Sequence, residues 1–81
     1  MKNSYGNFPI IDLARTGKNI KKLMSSKNLS AKDIQTFLNL GSVQAVYKWI
    51  WGNSLPTIDN FVALSKLFQV PIDKIIVIKN I

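Results

Sequence analysis

The chain has 81 residues, 47% of them hydrophobic, with no cysteine and no histidine, and eleven Lys/Arg against four Asp give it a net charge of +7. That length suits one small domain that buries about 60% of its unfolded surface, and the hydrophobic content argues against disorder. The missing residue types exclude a disulfide framework, a thiolate metal site, a thiol nucleophile and the usual general base at neutral pH.

Residues 1–9 are polar, with Gly6 and Pro9, and read as part of an N-terminal arm over residues 1–15. Within it Ile10 to Leu13 is a short apolar run that suits a strand. Thr16 is placed to cap a first helix that continues to about Lys27, with Ile20, Leu23 and Met24 on one face at helical spacing. Ser30 is a good N-cap for a second helix to about Leu38, with Ile34 and either Phe37 or Leu38 turned inward. Asn39 tolerates left-handed geometry where the chain must turn. Ser42 is then expected to cap a third helix over residues 43–51, with Val46 and Trp49 facing the core and Gly52 and Asn53 ending it. Thr57 caps a fourth helix to Phe68, offering Ile58, Phe61, Val62, Leu64 and Phe68 to the core. Val70 and Pro71 open one further turn through Ile76, and residues 77–81 form a tail. The β-rich run over residues 75–78 is a candidate to pair with the PIIDL run near the other end.

The most informative stretch is residues 29–52, LSAKDIQTFLNLGSVQAVYKWIWG, two short helices joined by a tight polar turn. Such a pair is the minimum device for placing a helix in the major groove of DNA. If Val46 and Trp49 point inward, the other side of the third helix carries Ser42, Val43, Gln44, Tyr47 and Lys48. The Gln44 amide can pair bidentately with adenine, and Val43 can pack on a thymine methyl. Lys48 can reach guanine acceptors or a phosphate, and Tyr47 can serve through its hydroxyl or its ring.

Charge is distributed in keeping with that reading. Residues 1–48 hold eight bases against Asp12 and Asp33, a balance of +6, whereas residues 49–81 hold three against Asp59 and Asp73, only +1. A field of that sign attracts phosphate. Lysine outnumbers arginine ten to one, which favours phosphate contacts over bidentate base reading. Catalysis finds no foothold: the Asp residues fall singly, three of them early in expected helices where the helix dipole explains them. No Gly-rich phosphate loop or paired metal carboxylates occur. Neither an enzyme nor a metal, cofactor or small-molecule substrate is expected. No apolar run approaches the roughly 20 residues of a membrane span, and MKNSYGNFP lacks the apolar core of a secretory signal. The expected location is the cytoplasm.

Taken in order, Ile20 and Leu23, then NLSAKDI, QAVYKW, Gly52 and SLPTIDNFVALSKLFQVPIDKI resemble the Cro/repressor-type, or Xre-like, helix-turn-helix family over residues 16–76. The resemblance implies an all-α, five-helix, lambda-repressor-like DNA-binding domain. It also implies a small bacterial or phage transcriptional regulator that binds near-palindromic double-stranded DNA as a homodimer. In that family positions equivalent to Val43, Gln44 and Lys48 are typical base readers. The N-terminus of helix 2, here Ser30, Ala31 and Lys32, meets phosphate, and we add Ser42 and Asn53 to the expected phosphate set. Three features depart from the pattern. Gln35 stands where a small residue is usual, so it must turn outward or widen the crossing. The LNLGS turn is one residue longer than the shortest members have. Ile50 and Trp51 stand where polar residues are usual.

Residues two apart on a helix point away from each other, so Trp49 and Trp51 cannot share one core. With Trp49 inside, Ile50 and Trp51 need cover from Leu55 and residues 5–8, or a partner, or the DNA sugar-phosphate backbone. A second functional reading follows, in which an antitoxin-like or adaptor module binds protein through Ile50 and Trp51.

Overall fold

The structure is a computed structural model and describes residues 8–80. In chain order these form β1 (Pro9–Ile11), α1 (Leu13–Ser26), α2 (Ala31–Leu38), α3 (Gln44–Ile50), α4 (Ile58–Phe68), a 3-10 turn (Ile72–Lys74) and β2 (Ile78–Asn80). The expected five helices are therefore four α-helices and one 3-10 turn. After Pro71 the backbone closes two i→i+3 bonds, Lys74 N–H to Pro71 O at 3.0 Å and Ile75 N–H to Ile72 O at 2.8 Å, and a single i→i+4 bond, Ile76 N–H to Ile72 O at 3.1 Å, before the helix stops. Ile75 then drops into the core, fully buried, and the chain leaves to pair as a strand. The fold is all-α apart from that pairing.

α1 begins earlier than its sequence suggests. Asp12, not Thr16, is the cap: its side chain accepts from the Arg15 N–H at 2.9 Å. Residues 13–15, assigned above to the arm, make the first turn of this helix. Thr16 lies inside the helix, completely buried. Its hydroxyl accepts from the Val77 N–H at 3.0 Å and donates to the Val77 carbonyl at 3.3 Å, using both capacities of the group. The Asp12 N–H donates to the same carbonyl at 2.8 Å. These bonds bring the two ends of the described chain together, where β1 and β2 pair antiparallel with Ile10 opposite Lys79. The tail does pair with the PIIDL run, but three residues later than 75–78, because Ile75 is taken by the core and Val77 by Thr16. Asn19 adds to this joint, donating to the Lys74 and Ile75 carbonyls at 2.7 and 2.8 Å.

The other helix ends follow ordinary capping chemistry. Ser30 and Asp33 form a reciprocal capping box at α2, and Asn39 closes that helix in the left-handed region at φ 55°. Thr57 caps α4 by accepting from the Asn60 N–H at 3.2 Å. α3 departs from expectation. Its N-cap is Val43 in helical geometry, with no side-chain bond, so Ser42 does not cap it.

One cluster forms the core: Ile20 and Met24 of α1, Ala31 and Ile34 of α2, Val46 and Trp49 of α3, Phe61, Leu64 and Phe68 of α4, and Ile75. Leu38 packs against it while Phe37 is exposed. Ile58 and Val62, expected inward, lie exposed, because the inner stripe of α4 runs through 61, 64 and 68 and leaves 58 and 62 on its flank. Gly17 decides how closely α1 and α3 approach. A Cβ there would collide with the Trp49 carbonyl and stand 2.6 Å from that of Ile50, so α1 and α3 meet backbone to backbone.

Candidate nucleic-acid interface

The helix pair α2 and α3 is joined by residues 39–43. Gln35, the long side chain in a small-residue position, is half-buried and bonded to the turn that follows its helix. Its Nε2 donates to the Leu40 carbonyl at 3.3 Å, while the Leu40 N–H donates to the Gln35 carbonyl at 3.0 Å. The amide thus folds along the turn and ties the longer LNLGS loop to α2.

α3 is sharply two-sided. Val46 and Trp49 are buried, and Gln44, Tyr47 and Lys48 are exposed together on the opposite side. Val43, at the helix start, is half-buried against the core and presents only part of its side chain. Ser42 is exposed in the turn. Past the helix Gly52 adopts φ 78°, and the exposed Asn53 bonds through its N–H to the Lys48 carbonyl at 2.9 Å, directly after the C-terminus of α3.

At the N-terminus of α2 the Ser30 hydroxyl is engaged, accepting from the Asp33 N–H at 3.1 Å. The Asp33 carboxylate accepts from the Ser30 N–H at 2.9 Å, and this bond, with that of the Ser30 side chain, holds its carboxyl below the usual carboxylate range. Of the phosphate candidates there, Lys32 is the charged one: it is exposed, and no carboxylate among the described residues lies within ion-pair distance. Among the described residues the only ion pair is Arg15 with Asp12, at 3.7 Å. Lys18, Lys21, Lys22 and Lys48 are likewise exposed without a carboxylate partner.

Ile50 and Trp51 part company. Ile50 is half-buried and packs on the core, whereas Trp51 is 62% exposed and stacks on Tyr47, ring centroids 5.5 Å apart and planes inclined by 23°. Leu55 also packs on the core. Cover from residues 5–8 falls mostly outside the described residues; Phe8, the one described, is itself exposed.

Sequence reasoning passed over Gly17 and Asn19, although a glycine inside a helical pattern is itself a signal of close packing. It also treated Trp51 apart from Tyr47, although the two are one turn apart.

Among the described residues there is no pocket, no group of metal-ligating side chains, and no helix long and apolar enough to cross a membrane. What they form is a short helix capped by Ser30, a left-handed turn and a second helix with one buried and one polar side, both seated on α1 and α4. That is the Cro/repressor-type helix-turn-helix fold. Solved structures agree. The restriction-modification controller protein C.AhdI from Aeromonas hydrophila superposes with a TM-score of 0.70 at 19% identity, over 79% of this chain and 96% of that one. The DNA-binding domain of BldD superposes with a TM-score of 0.67 at 13% identity, over 82% of this chain and 94% of the other. No family model matches the sequence, and no curated protein does.

Proposed function

We propose that this chain is a small transcriptional regulator that binds double-stranded DNA, with α3 in the major groove. The observation that carries this reading is the division of α3. Its inner residues are locked in the core, leaving Gln44, Tyr47 and Lys48 as one free polar face beside a surface of unpaired lysines. Gln44 opens the helix, where an adenine edge comes within reach of its amide. Val43 adds a partial apolar contact. Lys48, one turn on, meets a base or a phosphate. Lys32, Ser30, Ser42 and Asn53 surround that face as phosphate contacts, and Ser30 serves by donating its hydroxyl proton, which its bond from the Asp33 N–H leaves free. The fold is shared with a controller protein and with a DNA-binding domain, which supports the same function here. The regulator acts as a homodimer in the cytoplasm of a bacterium or its phage, on half-sites about one helical turn apart. The competing reading, a protein-binding module working through Ile50 and Trp51, has Trp51 as its main exposed surface, since Ile50 is half-buried against the core.

Selection of bound sequences from a random duplex pool tests the proposal. A preferred sequence should emerge, and log affinity for it should fall with log salt at a slope of roughly −0.9 per phosphate contacted. Gln44→Ala should weaken binding to that sequence by about 1–3 kcal/mol at one base position and leave the melting temperature unchanged. Equal binding to all duplexes, vanishing near physiological salt, would remove the regulator reading.

A further inference from the structure

Trp51 is not among the expected base contacts, yet the helix places it on the same stripe. Gln44, Tyr47, Lys48 and Trp51 follow the i, i+3, i+4, i+7 pattern of a single helix face, and all four are exposed. The stripe does not break at the helix end, because Trp51 keeps helical backbone angles, φ −79° and ψ −5°. Its ring stacks on Tyr47, with 5.5 Å between centroids and the planes inclined by 23°. A lone tyrosine at an exposed helix position samples several rotamers. With an indole stacked one turn below, its ring is held in one arrangement before any ligand arrives.

We propose that Trp51 is a positioning residue of the DNA-reading face, fixing the Tyr47 ring against the duplex, and is not a docking point for a protein partner. The idea rests on the DNA-binding reading and on three further observations. The Tyr47–Trp51 pair is continuous with Gln44 and Lys48. Lys48, on the same stripe, is exposed and among the described residues has no carboxylate partner, and so suits a polyanion. And Ile50, which would extend an apolar patch, is half-buried against the core, so the exposed aromatic surface here is that of Trp51 stacked on Tyr47.

The test is a double-mutant cycle on the full chain, measured on its preferred duplex and on a scrambled one. Trp51→Ala should lower affinity for the preferred duplex by about threefold to tenfold, the range of an aromatic pair. The loss should fall at the base positions that Tyr47→Ala affects, and the double variant should bind no worse than the weaker single one. Trp51→Phe, which keeps a stacking ring, should restore most of the preference. Without DNA, the Tyr47 ring protons of the wild type should resonate upfield of their position in Trp51→Ala, at equal melting temperature. Additive losses, losses equal on both duplexes, no loss, or no upfield shift would each overturn the assignment while leaving the DNA-binding reading intact. A wild type that prefers no duplex overturns both.

Discussion

Gly17→Ala should destabilise the domain by roughly 2–3 kcal/mol, the upper part of the usual overpacking range. Two effects of opposite sign compete. In an exposed helix interior, alanine would gain about 1 kcal/mol over glycine. Here the added methyl meets the Trp49 and Ile50 carbonyls, and these are backbone atoms that cannot swing aside as a flexible side chain would. Relief requires α1 and α3 to separate, which loosens the packing of Ile20, Val46 and Trp49 in one movement. Denaturant unfolding with an unchanged m-value should give the loss directly. A variant that still folds should carry α3 in an altered pose, so its binding to a preferred duplex should suffer more than its binding to a scrambled one. An increase in stability would mean that the two helices are not in the close contact described.

Trp49→Ala should cost more, about 3–5 kcal/mol, as for other large-to-small changes at buried aromatics. Trp49 is 5% exposed and belongs to the one core cluster to which α1, α2, α3 and α4 all contribute. Small domains have about 5–15 kcal/mol in all, so this variant should sit close to unfolding at room temperature. Trp51→Ala, only two residues away, supplies the control. Its side chain contributes little to the core, and its stability should stay within about 0.5 kcal/mol of wild type. Comparable losses at 49 and 51 in circular dichroism melts would contradict the inside-and-outside division of α3.

Much of this division was legible from spacing alone. The i, i+3 relation of Val46 and Trp49 selected the inner face, and the two-residue offset put Trp51 elsewhere. Ser30, Asn39, Gly52 and Thr57 announced their helix ends because each carries a local backbone preference that tertiary contacts did not override. Where two residues offered the same local service, sequence could not arbitrate. Asp12 and Thr16 are both competent caps, and the choice turned on Thr16 being needed by Val77, 61 residues away. The same long-range bond displaced the tail strand to Ile78–Asn80. Apolar composition misled at Ile58 and Val62, since an apolar residue is not obliged to be buried. In the candidate interface, Gln44, Tyr47 and Lys48 were separable from the core by period. The fate of Gln35 depended on the Leu40 carbonyl, and the partial withdrawal of Val43 depended on where α3 starts, neither of which a single sequence displays.

The chain's only two tryptophans, two residues apart, sit in opposite surroundings, and this has an optical consequence. The indole of Trp49 is shielded from water by the core, whereas that of Trp51 faces it. A water-borne quencher therefore reaches one chromophore and spares the other. Emission from Trp49 follows whether the domain is intact, and emission from Trp51 follows what touches its surface. Folding and ligand contact are thus written into two separable signals on one turn of helix, with no label added.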